Sequence, residues 1–246
     1  MTERKAYERF KILFEDEDPV NPVCIKRFLW NFPRKYWETT KEITESSFRL
    51  DEEIFRFNVA KLMPSFKMTR SGAFLRLKID GKGEVTGPKE VLDVLDFCWK
   101  QVGNELLWLK EYISKNNHQV RYRALIGLSE QSKQVLLDMI SKLFTKLITV
   151  PNFKVTPVAA SKILFATIPE IALPVDNSQW KYVFQTGNYR EIISVMVDEI
   201  NEWEKKNGDM HLEELEPQRK ATLPAVYNVM AMSVREKMRI LAKTKK

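Results

Sequence analysis

Apolar residues recur at helical spacing over most of this sequence. The clearest pattern lies between Ser129 and Ile148, where apolar side chains stand three or four positions apart: Leu136, Met139, Ile140, Leu143, Phe144 and Leu147. Such spacing places them on one face of a helix. The same pattern predicts a helix from Tyr189 to about Lys206 and a last helix that begins at Thr222. The chain is therefore predicted to be mainly helical.

Two more helices are predicted on either side of a short connector. Residues 157–168 are almost entirely small or apolar and end at Pro169, which cannot continue a helix. The connector that follows carries Pro174, so an extended chain is expected there rather than a sheet strand. Asp176 and, three residues later, Gln179 form a capping-box pattern, in which the carboxylate accepts a hydrogen bond from a free N–H of the next helix.

A single β-hairpin interrupts the helical pattern. Leu75, Leu77 and Ile79 alternate with basic residues, and the glycine-containing turn 80–83 follows. The predicted fold is mainly α, a multi-helix orthogonal bundle with one small β-hairpin near residues 73–86. A boundary near residue 88 would separate an N-terminal subregion, 1–87, from a helical body, 88–246, although a single domain is an open alternative.

Two stretches that precede the hairpin also have patterned apolar residues. Tyr7, Phe10, Leu13 and Phe14 stand at helical spacing, which predicts a helix near the N-terminus. Residues 51–63 fit either a helix or a strand, because Phe55 and Phe57 alternate with polar neighbours.

The chain is basic, with 40 Lys and Arg residues against 33 Asp and Glu, a formal charge of +7. This charge permits contact with polyanions without requiring it. Residues 28–37 interleave aromatic and basic side chains, which is typical either of core aromatics beside a solvated edge or of a surface that stacks on bases. The basic tail 235–246 fits either a helix C-terminus or a contact with phosphates.

Several classes of chemistry are not expected. The two cysteines and two histidines form no ligand pattern for zinc, and with eight glycines the sequence has no glycine-rich phosphate loop. We therefore expect no metal and no cofactor. No apolar run approaches the roughly 20 residues of a membrane span. The protein is expected to be cytoplasmic, without membrane contact.

The segment around Asp176 resembles the catalytic segment of helix-hairpin-helix DNA glycosylases, 8-oxoguanine DNA glycosylases in particular. The likeness is carried by a helix followed by Pro174-Val175-Asp176 and, four residues on, Trp180. It covers about 40 residues, and the stretch 149–157 lacks the glycines of the family's hairpin. The resemblance implies that Asp176 is the catalytic carboxylate that supports loss of a base.

In bifunctional members of that family a lysine attacks the sugar C1′, and a neutral amine is needed for this attack. Here Lys162 and Lys154 lie on either side of the family's lysine position, so both are candidates. The resemblance further implies that Asp176 is followed by a set of residues that contact the nucleic acid, namely Trp180, Asn177, Tyr182 and Lys181.

Two functions thus remain open from the sequence. The first is a DNA-binding protein related to base-excision glycosylases, in which Asp176 supports cleavage of the N-glycosidic bond and DNA is the partner. The second is a non-enzymatic helical protein with a basic surface, in which Asp176 only caps a helix and Trp180 belongs to the core.

Overall fold

The computed structural model describes residues 12–15, 17–70, 72–116, 123–151, 153–218 and 220–244. It confirms a mainly α fold. The α-helices are α1 Pro22–Asn31, α2 Arg34–Ser47, α3 Glu52–Ser65, α4 Lys89–Asn116, α5 Glu130–Ile148, α6 Pro157–Thr167, α7 Tyr189–Lys206 and α8 Leu223–Thr244. Shorter helical segments are the 3-10 helices Met68–Arg70, Gly72–Phe74 and Leu212–Leu215, and a π-helix, Gln179–Phe184.

Polar side chains just before the helices explain where several of them begin. The side chains of Asn21, Asp51, Ser129, Thr156 and Asn188 each accept a hydrogen bond from a backbone N–H of the first turn. These bonds satisfy donors that have no partner inside the helix. The predicted starts of α5, α6 and α7 are thereby confirmed.

Two short antiparallel hairpins make up the β structure of the described residues. In the predicted hairpin, β3 Lys78–Ile79 pairs with β4 Val85–Thr86. It is shorter than the alternation suggests, because residues 72–74 form a 3-10 helix. The second hairpin pairs β1 Phe14–Glu15 with β2 Asp18–Pro19.

The N-terminal helix predicted through Leu13 and Phe14 is wrong in its described part, because these residues lead into the β1–β2 hairpin. Tyr7 and Phe10 lie outside the described residues. The ambiguous stretch 51–63 is helical, within α3.

Helix α4 runs without a break through Gly103. A Cβ atom at this position would lie 2.8 Å from Cε2 of Trp99, one turn earlier. Gly103 therefore makes room for a neighbouring indole rather than bending the helix.

Helix α6 and its connector form the centre of the core, since every residue from 158 to 175 is buried. Helices α2, α3 and α5 pack around α6. Asn58 on α3 donates a hydrogen bond from Nδ2 to the carbonyl of Ala166, 3.0 Å away. One hydrophobic core includes residues on both sides of residue 88, and the domain boundary proposed there stays a prediction.

A buried carboxylate attaches the N-terminal hairpin to α7. Glu199 accepts hydrogen bonds from the backbone N–H groups of Ile12 and Leu13, each at 2.6 Å, and from the hydroxyl of Tyr227 at 2.6 Å. Burial raises the pKa of Glu199 to about 7, although these three hydrogen bonds act in the opposite direction. On the next turn of α7, Trp203 donates from its indole N–H to the carbonyl of Val20 at 2.9 Å.

In the part of the chain that the structure describes, none of the helices combines the length and the apolar composition needed to cross a membrane.

Candidate functional site around Asp176

Two buried side chains fix the connector that carries Asp176. Tyr189 on α7 donates its hydroxyl to the carbonyl of Leu173 at 2.8 Å and accepts from the Leu173 N–H at 2.9 Å. Ser161 on α6 accepts from the N–H of Val175 at 3.1 Å. Because polar backbone groups in a buried segment need such partners, these bonds determine the path of the chain up to Asp176.

The capping box at Asp176 is confirmed in both directions. The Asp176 carboxylate accepts from the N–H of Gln179 at 2.8 Å, and the Gln179 side chain accepts from the N–H of Asp176 at 2.8 Å. The helix that follows, 177–184, is mostly π-helical and ends at Gln185, which has a φ of 50°. Asp176 therefore lies at a helix start, as the sequence predicts.

The second carboxylate oxygen of Asp176 forms an ion pair that the sequence does not reveal. Arg235 on α8 lies 3.0 Å from Oδ2. The two side chains are only partly exposed, Asp176 at 23% and Arg235 at 40%. The carboxylate is thus reachable from solvent but already has a cationic partner.

Lys162 is buried inside the protein, close enough to Asp176 for their charges to interact. It is 1% exposed, and its amine lies 4.3 Å from the centre of the Phe66 ring. Burial lowers the pKa of Lys162 to about 8, and the nearby negative charge of Asp176 partly opposes this. The structure therefore brings two of the three candidate catalytic residues, Asp176 and Lys162, into one electrostatic environment.

A groove of about 820 Å³ reaches Asn177, the residue after Asp176, but neither Asp176 nor Lys162 is one of its lining residues. The start of α6, residues 156–158, lines this groove together with Asn177, Trp180 and Lys181. Residues 185–187 line it as well. We call this feature the α6 groove. Three of the four residues expected to contact nucleic acid line it.

Trp180 is partly exposed in this groove, but its ring packs into an aromatic cluster. Its centroid lies 5.9 Å from that of Phe144 and 6.2 Å from that of Tyr189, and these two rings stack at 4.5 Å. The indole Nε1 is buried and has no hydrogen-bond partner among the described residues. Trp180 thus combines the core role and the groove position that the sequence leaves as alternatives.

A chain of buried amides connects the site to two other helices. Gln179 donates from Nε2 to Asn228 on α8 at 2.9 Å, and Asn228 donates from Nδ2 to the hydroxyl of Tyr36 on α2 at 3.1 Å. Tyr36 in turn donates to the carbonyl of Ala225 at 3.2 Å. Since Gln179 also holds the backbone of Asp176, these bonds brace the carboxylate against movement.

The two remaining candidates do not line the groove. Lys154 is exposed in the loop before α6 and is not one of the residues that line the groove. Tyr182 is partly exposed, and the Lys181 amine lies 5.2 Å from the centre of its ring.

Among the described residues, histidine, cysteine and carboxylate side chains do not cluster in a way that could hold a metal ion.

Comparison with known proteins found no matching family model, no matching curated protein and no matching solved structure.

Proposed function

We propose that this protein binds DNA in the α6 groove and is related to base-excision DNA glycosylases, with Asp176 supporting cleavage of the N-glycosidic bond. The observation that carries the proposal is the position of Asp176. It is a partly exposed carboxylate at a helix start, one residue before Asn177 of the groove, and its charge acts on the buried Lys162.

The α6 groove has features that suit a phosphodiester backbone. Lys181 supplies a cation to its lining, and the N-terminus of α6, where the helix dipole favours negative charge, lines it as well. Lys154 lies exposed in the loop that leads into α6 and can add a second cation. Trp180 presents an aromatic ring against which an extruded base could pack.

Asp176 and Lys162 have complementary roles in this proposal. The Asp176 carboxylate stabilises the positive charge that develops on the sugar as the base leaves. The Lys162 amine, with a pKa of about 8, is neutral in about one molecule in ten at pH 7, far more often than an ordinary lysine. A neutral amine can attack C1′, so the lowered pKa favours Lys162 over Lys154 for a covalent step, which also requires the buried amine to become exposed to the groove.

The test is a glycosylase assay on duplexes that contain uracil or a damaged base, with Asp176→Asn as the main variant. Asparagine caps a helix as well as aspartate does, so this change removes the charge and leaves the helix start intact. Asp51→Asn, at the N-cap of α3, is the matched control. We expect cleavage by the natural chain and by Asp51→Asn, and its loss in Asp176→Asn.

Trapping with borohydride tests the covalent step. An adduct that forms with the natural chain and with Lys154→Gln, but not with Lys162→Gln, supports attack by Lys162. Absence of cleavage, together with DNA binding that is negligible and insensitive to salt, would overturn the whole proposal.

The second candidate function is a non-enzymatic binding protein, and the Arg235–Asp176 ion pair favours it. With the capping box on one oxygen and Arg235 on the other, the carboxylate is fully engaged in structure. Arg235→Gln distinguishes the two functions. In the enzyme it frees the carboxylate and cleavage rises, whereas in the binding protein no variant cleaves DNA and only the affinity for a polyanion falls.

A further inference from the structure

A second surface of the molecule, remote in sequence from the α6 groove, has its own recognition chemistry. On α1 the residues Val23, Lys26, Arg27 and Trp30 stand at i, i+3, i+4 and i+7 and are all exposed. This spacing places them on one helical face. Arg34 and Lys35, at the start of α2, are exposed as well. We call these six residues the Trp30 surface.

The Trp30 surface is strongly cationic. Of its four cations, only Arg34 has a carboxylate partner among the described residues, Glu38 at 2.7 Å. The stretch 21–37 contains no aspartate or glutamate. Within this stretch an anionic partner would meet positive charge alone, and an exposed carboxylate beside Trp30 is that of Glu214, next to Leu215.

Trp30 is the unusual member of this surface, because a large indole is 57% exposed among those cations. Its N–H donates to the carbonyl of Leu215 at 3.1 Å, which fixes the orientation of the ring. The Lys26 amine lies 5.3 Å from the ring centroid. The result is a held, partly exposed aromatic plane with cations close to it.

We propose that the Trp30 surface binds single-stranded nucleic acid, with Trp30 stacking on a base and Lys26, Arg27 and Lys35 contacting the flanking phosphates. A fixed aromatic plane beside cations is the combination that sequence-tolerant single-strand sites use. Insertion into a membrane would need several neighbouring large apolar side chains, and here Val23 is the only other large apolar residue of α1 that is exposed. This site goes beyond the proposed function and does not depend on it.

Fluorescence anisotropy with a labelled oligothymidine of about 12 nucleotides tests the proposal. We expect Trp30→Ala to weaken binding by about tenfold or more, because stacking on one base is lost. Lys26→Glu/Arg27→Glu should also weaken binding and reduce its dependence on salt between about 50 mM and 200 mM. Lys78→Glu/Lys82→Glu, at the β3–β4 turn, changes the net charge equally and should bind like the natural chain.

Cys24 offers a direct probe, because it is exposed next to this surface while the other cysteine, Cys98, is buried. A thiol-reactive photocrosslinker on Cys24 should capture the oligonucleotide, and a Cys24→Ser chain treated in the same way should not. Equal affinities of Trp30→Ala and the natural chain, or binding to anionic phospholipid vesicles without binding to oligothymidine, would overturn the proposal. The proposed enzyme activity is read separately, by cleavage of duplexes, so a failure of oligothymidine binding to depend on Trp30 is distinct from a failure of that activity.

Discussion

Glu199 should make the stability of this protein fall as the pH rises from about 4.5 to about 7. The carboxyl has a pKa of about 7 in the folded protein, against an ordinary value of 4.5. Between these values the unfolded chain has lost the proton while the folded protein keeps it, so a rising pH favours unfolding. Above pH 7 both states are ionised, and the loss is complete.

The size of this effect follows from the difference between the two pKa values. At 1.36 kcal/mol for each pH unit, a rise from 4.5 to about 7 corresponds to about 3 kcal/mol. Glu199→Gln removes the titration but keeps a carbonyl oxygen that can accept from the N–H groups of Ile12 and Leu13. We therefore expect the variant to exceed the natural chain in stability by up to about 3 kcal/mol at about pH 8, and to match it near pH 4.5.

Urea unfolding of both chains at several pH values between about 4.5 and 8 measures this difference, and other titrating groups cancel in the comparison. Glu214→Gln, which alters an exposed carboxylate, is the control and should change the stability little. A difference between Glu199→Gln and the natural chain that stays constant with pH, or a natural chain that is the more stable at about pH 8, would refute the assignment of a raised pKa to Glu199.

Three further substitutions test packing and buried charge through the free energy of unfolding measured in urea. Gly103→Ala should cost about 1–3 kcal/mol, because the added Cβ would collide with Trp99. Arg123→Ala should cost about 3–5 kcal/mol, since it leaves buried Glu204, which accepts two hydrogen bonds from this guanidinium, without its cation. Lys162→Met should be the more stable chain at pH 7, because the charged form of the buried Lys162 opposes folding. This advantage should shrink as the pH rises from about 8 to about 10.5, since the folded protein then releases the proton of Lys162 before the unfolded chain does.

Each of these has a matched control. Gly81→Ala adds a Cβ in open space and should have little effect. Arg34→Ala breaks an exposed ion pair with Glu38, which is worth no more than about 1 kcal/mol. Lys154→Met alters an exposed lysine and should change the stability little. If a control changed stability as much as its partner, the explanation from burial would be wrong.

The parts of the site that the sequence predicts are those set by near neighbours. Pro157 and Pro169 bound α6, and the spacing of Asp176 and Gln179 predicts two hydrogen bonds that span only three residues. The position of Lys162 predicts its burial, since it is the single charged residue in 157–168. A lysine in such an apolar helix is buried with the rest of the helix, and its pKa falls as a result.

Other features could not be predicted because their partners are distant in the chain. Arg235 is 59 residues from Asp176, and no local pattern indicates that α8 would deliver a cation there. The spacing of Leu13 and Phe14 fits a helix. The backbone N–H groups of Ile12 and Leu13 instead donate hydrogen bonds to Glu199, about 187 residues away. A tertiary contact thus overrides the local preference at the N-terminal hairpin.

The attachment at Glu199 also bears on how the protein folds during its synthesis. The groups that satisfy this carboxylate come from Ile12, Leu13 and Tyr227, so a nascent chain must grow beyond Tyr227 before the charge has all its partners. Contacts of such long sequence separation form slowly. The apolar residues Ile12, Leu13 and Phe14 would therefore stay exposed to solvent until Tyr227 has been synthesised. We expect a chaperone to bind this segment during that time.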